Sequence, residues 1–351
     1  MIHRWLDFKA IHNSRLDWID YAKGIAIVLV VYRHVLIGLQ LAGLEISESY
    51  YNLVNEVGVT ARMPLFFLLS GFFYFKSVNK RSQWGYFSHK FKSIMYPYFV
   101  WSFIQMTLQI ILSNYTNESH TLSGYLLILY KPRGQFWFLY ALFNVSVLYL
   151  VLDTFLKRKR ILLLVTGFQM YCVTPYLNAG PLVYEIFRLF AFFALGDIMS
   201  KYVFDHRVIN FFSKTYVLLL LLTISVLGEF YLYNYQEPIH VSFFLAIVGA
   251  FSLISLSILL ANFNNKKLDI IRIIGYHSLY IFLLHALTSA ATRILLVHIL
   301  HFTDTVILHI VGTAVGIIAP ILIYSIANKY NLNFLFYPPT LNLKLTSTSK
   351  S

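Results

Sequence analysis

The chain has 351 residues, of which 58% are hydrophobic and 12% charged, and it carries a net charge of +13. Soluble proteins run at about 45–50% apolar and about 25% charged, so this composition excludes a string of soluble domains and points to a bundle of membrane helices. A positive balance of this size suits nucleic acid or a membrane, and the placement of the charges decides between them.

Residues 1–19 are polar and basic, with Trp5, Phe8 and Trp18 interspersed, and are expected to rest along the cytoplasmic headgroups. The first apolar run, near 22–42, has no small-residue cleavage site and exceeds a signal-peptide core, so it reads as a retained span. Nine further runs follow near 57–76, 95–113, 135–155, 160–177, 183–200, 214–233, 239–262, 273–297 and 305–327. Each approaches the roughly 17–25 residues that a spanning helix needs. The expected fold is all-α: a polytopic membrane helix bundle of about ten transmembrane helices. Its transmembrane domain covers 20–328, and a polar cytoplasmic tail covers 329–351.

Basic residues fall on alternate connections. Lys76, Lys80, Arg81, Lys90 and Lys92 lie between the second and third spans, Lys157, Arg158, Lys159 and Arg160 between the fourth and fifth, and Lys266, Lys267 and Arg272 before the ninth. The opposite connections hold only Lys131 and Arg133, and the first of them carries Glu45, Glu48 and Glu56. By the positive-inside rule both termini are cytoplasmic, and the net charge reports topology rather than nucleic-acid binding. The single cysteine, Cys172, sits in an apolar run and reads as a small buried hydrophobe, so there is no disulfide framework. Asn114-Tyr-Thr116 and Asn117-Glu-Ser119 match the glycosylation tripeptide, a pattern without meaning in a bacterium. No internal repeat of fixed period is visible, which disfavours a repeat-built transporter.

The chemistry-bearing residues stand out against this apolar background. Lys23 and His34 are eleven residues apart in the first span; at about 100° per residue they share one helix face, roughly 16 Å apart along the axis. With Lys23 at the membrane surface, His34 lies near the middle of a hydrocarbon core about 30 Å thick, where a titratable ring needs a reason. Alone, Lys23 is a snorkelling side chain and His34 an interhelical hydrogen-bonding group. Together they outline a cytoplasm-facing cationic entrance leading to a deep base. Ser278 and His285 are seven residues apart, nearly on one face of the ninth span, and His285 has a depth similar to that of His34. Two histidines at one depth on different helices can line one cavity.

Other polar residues have plainer readings beside functional ones. Arg33 points about 100° away from His34, toward a carboxylate or a polar cavity. Arg62 and Arg188 lie in the outer halves of inward-running helices, with Glu185 one turn from Arg188 as an ion-pair partner. Pro64 is expected to kink the second span, and Ser70-Gly71 to allow close helix approach. Trp137 belongs to an outer interface, where aromatic belts occur, and Asp197 reads as a solvated helix end. There is no phosphate-binding loop, serine elbow or zinc-spaced His/Cys cluster, so no metal site is expected.

Asp20-Tyr21-Ala22-Lys23-Gly24 through His34, then Met63-Pro64-Leu65-Phe66-Phe67 with Ser70-Gly71, resemble the acyltransferase 3 family of polytopic membrane enzymes. Trp137-Phe138-Leu139-Tyr140, Arg188 before Phe193-Ala194-Leu195-Gly196, and Ser278-Leu279-Tyr280 through His285 match further blocks in family order. The resemblance spans roughly residues 17–325, and Lys23 in place of the commoner arginine is similar to the fucose O-acetylase-like branch. It implies an O-acyltransferase of the bacterial cytoplasmic membrane that moves an acyl group, usually acetyl, from cytoplasmic acyl-coenzyme A to a sugar hydroxyl. Acceptors are capsule, exopolysaccharide, O-antigen and related surface glycans or their lipid-linked precursors, and no bound cofactor is implied. On that basis Lys23 faces the donor phosphates and His34 is either the general base or a transient acyl carrier. Ser278, Tyr280 and His285 orient the donor or the reacting groups. Arg62, Ser70, Trp137 and Arg188 shape the acceptor side or the structure, Trp137 by stacking on a sugar. Two rival classes are a polysaccharide or lipid-linked sugar exporter and, ranked after it, a lipid-modifying membrane-bound O-acyltransferase.

Overall fold

Backbone placed in hydrocarbon must satisfy its own N–H and C=O groups, and among the described residues the apolar runs do so as helices. The computed structural model describes residues 16–339 apart from 57, 114, 116–123, 204, 236–238, 264 and 266, and among these there is no strand. The amino-terminal segment up to residue 15, Asn114, Thr116 and the whole second glycosylation tripeptide, and most of the polar tail lie outside the described residues.

Helix α1 (Asp17–Leu41) leads to a short α2 (Glu48–Glu56) and to α3 (Arg62–Phe72). Next come α4 (Tyr74–Lys90), a π-helical turn over Phe91–Met95 and α5 (Tyr96–Ile111). After these follow α6 (Trp137–Phe155), α7 (Arg160–Val173), α8 (Pro181–Met199) and the short α9 (His206–Phe212). The last five are α10 (Thr215–Asn234), α11 (Ile239–Asn262), α12 (Asp269–Tyr276), α13 (Ser278–Ile294) and α14 (Thr305–Lys329). Among the described residues seven helical segments are long and apolar enough to cross a membrane. The expected spans at 57–76, 160–177 and 183–200 are not among them. The first two form short helices, α3 and α7, of 11 and 14 residues, and α8 carries the charges of Glu185, Arg188 and Asp197.

The first apolar run is the hub of the bundle: α1 packs against α3, α11, α12, α13 and α14. It starts at Asp17, earlier than the apolar pattern suggests, with Asp17 and Asp20 in its first turn, where acidic groups complement the helix dipole. Arg272 of α12 fixes that start by a 2.8 Å ion pair to Asp17. α3 lies tightly on α8. A Cβ on Gly71 would run into the Phe193 carbonyl oxygen and one on Gly196 into that of Leu68, so the close approach expected at Ser70-Gly71 is real.

Three local expectations are corrected. Pro64 does not interrupt a span; it sits in the first turn of α3, where its missing N–H has no intrahelical partner to lose. Asp197 is not a solvated end: it is 1% exposed, paired with Arg160 Nε at 3.1 Å and accepting from the Tyr149 hydroxyl at 3.0 Å. Arg160 opens the neighbouring antiparallel helix and reaches back, a partner invisible along α8 itself. Cys172 is a free thiol and half-buried rather than buried.

Candidate active site

His285 stands on α13, fully buried. Its Nδ1 lies 3.0 Å from the Ile281 carbonyl oxygen and 2.8 Å from that of Phe282. A carbonyl only accepts, so these partners assign the ring proton to Nδ1 and make Nε2 of the neutral ring an acceptor. That Nε2 is 2.9 Å from Nδ1 of His34 on α1, with the two rings nearly parallel at 14°. His34 therefore donates from Nδ1, and its own Nε2 is left with a bare lone pair. The pair of histidines fixes one tautomer of His34, the form that a proton acceptor or nucleophile requires.

Both rings line a cavity of about 710 Å³, within the size range of small-molecule sites. Its wall is built from the second half of α1, from α5, from Arg133-Gly134-Gln135, and from α13 and α14. Leucine, isoleucine and alanine dominate it. Polar groups are interspersed: Gln135 donates to Gln105 Oε1 at 2.8 Å, and Arg33, Arg133 and Arg293 also face the space. A largely apolar cavity with a few placed donors and a bare imidazole nitrogen is suited to proton abstraction or acyl transfer away from bulk water.

The structure brings His34 and His285 into direct contact, as their depths suggested. Lys23 lies on the same helix toward its start, half-buried and paired with Asp20 at 3.6 Å. Ser278 opens α13. Tyr280 is buried there, stacked on Tyr324 at 3.6 Å between ring centres and hydrogen-bonded to the Tyr337 hydroxyl. Ser70 turns its hydroxyl back to the Phe66 carbonyl at 2.9 Å. Trp137 meets Phe138 edge-to-face, and Phe138 in turn packs on Phe282, next to the histidine pair. Arg188 is 3.9 Å from Glu185 and lines a separate cavity of about 190 Å³ with Tyr171, Tyr184 and Ser242.

Several partners of these residues, Asn55 and Tyr50 among them, were not anticipated from sequence. Arg33 donates from Nε to Asn55 Oδ1 at 3.0 Å, and the buried Arg62 reaches the Asn55 backbone oxygen at 3.4 Å, so one residue of α2 joins the arginine beside His34 to α3. Tyr50 of α2 is hydrogen-bonded to His309 of α14 at 2.7 Å; burial pushes its phenol up to about 12, which keeps it an O–H donor. Arg293 was signalled in principle, because His285, Ser289 and Arg293 recur every fourth residue as a polar stripe in an apolar span.

The structure is that of a multi-pass helical bundle with a hydrogen-bonded histidine pair in the wall of a cavity. Residues 16–325 match the model of the acyltransferase 3 family, described as an acyltransferase domain, and the chain belongs to that family. No curated protein and no solved structure matches it.

Proposed function

We propose that this protein is an O-acyltransferase of the bacterial cytoplasmic membrane, with both termini cytoplasmic, that moves an acetyl group from cytoplasmic acyl-coenzyme A to a hydroxyl of a surface glycan or its lipid-linked precursor. Lys23 in place of arginine supports a likeness to the fucose O-acetylase-like branch. The observation that carries the reading is the bare Nε2 of His34, held in that tautomer by His285 in the wall of a cavity. As general base, Nε2 takes the hydroxyl proton while the sugar oxygen bonds to the thioester carbonyl carbon. The C–S bond then breaks and the proton passes to the departing thiolate. As acyl carrier, Nε2 itself bonds to that carbon and the C–S bond breaks to release the thiolate; in a second step the hydroxyl oxygen bonds to the acyl carbon, the C–N bond to Nε2 breaks, and the hydroxyl proton passes to the thiolate. Both routes need the same nitrogen free.

Topology supports the sidedness. The Lys-rich connections lie at the end of the bundle where α1 starts, and the cavity lies toward the other end, where α1 and α13 finish. The donor then approaches beside Lys23, whose charge meets its phosphates, and the acceptor approaches from the cavity side. Surface-glycan O-acetyl content is measured by proton NMR in a deletion strain complemented with wild type, His34→Ala or Lys23→Ala at matched membrane levels. Loss of a general base costs about 10²–10⁴-fold, so acetyl signals vanish with His34→Ala while glycan amount and length stay normal. Lys23→Ala gives a partial loss. A glycan that disappears from the surface on deletion, together with a fully active His34→Ala, overturns the enzyme reading in favour of export.

A further inference from the structure

His309 is fully buried on α14 and takes no part in the histidine pair. Its Nε2 is 2.7 Å from the backbone oxygen of Tyr32 and its Nδ1 is 2.7 Å from the Tyr50 hydroxyl. The carbonyl can only accept, so Nε2 donates and Nδ1 receives the Tyr50 proton. Tyr32 stands two residues before His34 on α1, and its ring also stacks on His309 at 4.1 Å. One turn further along α14, the Gly312 backbone oxygen accepts from Ser289 Oγ at 3.1 Å. Ser289 stands one turn after His285 on α13. Within a single turn, α14 therefore makes one hydrogen bond to each histidine-bearing helix, each close to the histidine it carries. The glycine makes the approach possible, since a Cβ there would lie 2.8 Å from Cγ1 of Val35, the neighbour of His34.

We propose that His309 and Ser289 are positioning residues that set the axial register of α1 against α13, with α14 as their common template, so that His34 and His285 meet at bonding distance. Apolar packing is non-directional and by itself leaves helices free to settle at neighbouring heights. A hydrogen bond at 2.9 Å tolerates a few tenths of an ångström before it fails. Directional bonds from one rigid helix to both partners supply the constraint that leucine and isoleucine contacts do not. The effect on turnover rests on the reading of His34 as the reacting group, whereas the effect on its tautomer does not.

The test uses full-length protein, ¹⁵N-labelled on histidine and reconstituted in bilayers, with the His34 ring signals assigned by their absence in His34→Asn. In wild type, His34 shows a protonated Nδ1 and a bare Nε2. His309→Leu and Ser289→Ala are expected to average that signature between the two tautomers. His309→Gln, whose amide nitrogen replaces the Nε2 donor, restores it. The same variants are followed for O-acetyl incorporation at matched membrane levels. A displacement of about 1 Å can lower turnover by about 100-fold, and a loss of up to that size is expected for His309→Leu, with most of the rate recovered in His309→Gln. An unchanged His34 signature in both His309→Leu and Ser289→Ala overturns the proposal, whether or not the protein acylates anything. An altered signature in a protein whose wild type leaves glycans unacetylated overturns the enzyme reading and leaves the register assignment standing. Equal loss in His309→Leu and His309→Gln, with the signature intact, assigns His309 to folding alone and also overturns it. Ser289→Ala keeps the question open to refutation should His309→Leu fail to fold.

Discussion

Replacing His285 by leucine tests the link between the histidine pair and the chemistry. The substitution keeps an apolar side chain of similar bulk on α13 but removes the acceptor 2.9 Å from His34 Nδ1. His285 is fully buried, so no solvent replaces it, and a buried donor left without a partner costs about 1–3 kcal/mol. His34 can avoid that cost by moving its proton to Nε2, but the reactive lone pair is then lost. At about 1.36 kcal/mol per factor of ten, either outcome lowers turnover by roughly 5- to 150-fold. The loss is expected in turnover rather than in donor affinity, because His285 bonds to Nδ1 of His34 and not to the Nε2 that reacts in the proposed function. The assay is the initial rate of O-acetyl incorporation into surface glycan after induction in a deletion strain, normalised to folded protein in the membrane. His285→Gln, which offers an amide oxygen to the same proton, is expected to recover part of the rate. Wild-type turnover in His285→Leu would refute the tautomer argument, since nothing would then depend on which nitrogen of His34 carries the proton.

Three further outcomes are expected. Under the proposed function, Lys23→Ala raises the acyl-coenzyme A concentration needed for half-maximal transfer in membrane vesicles while leaving the maximal rate nearly intact, because Lys23 lies eleven residues from His34 and its proposed part is to meet the donor phosphates. Arg160→Met strands the Asp197 carboxylate, which is 1% exposed, and removing one partner of a buried pair costs about 3–5 kcal/mol. Its thermal midpoint in detergent falls, and adding Asp197→Asn recovers part of the loss. Gly71→Val drives a side chain into the Phe193 carbonyl, so α3 separates from α8 and the yield of monodisperse protein on size exclusion drops.

What the sequence made legible, and what it did not, follows from how polar groups behave in hydrocarbon. His34 and His285 announced themselves because each is costly in an apolar run, and helix geometry alone placed them at one depth. Their meeting was suggested by that depth, but the tautomer was not, because it depends on Ile281 and Phe282 carbonyls that lie on the same turn of α13. Asp197 was misread for the matching reason: its cost was visible, but its partner Arg160 belongs to another helix. The bridge from Arg33 through Asn55 to Arg62 was hidden more deeply. Asn55 is neutral and lies in a nine-residue helix, α2, whose composition reads as an outer loop. A sequence thus shows which side chains must find partners inside a membrane, and packing decides who those partners are. In this chain the decision falls to α14, a helix with almost no charge, whose one buried imidazole and one glycine oxygen hold two histidine helices at the height where their rings can bond.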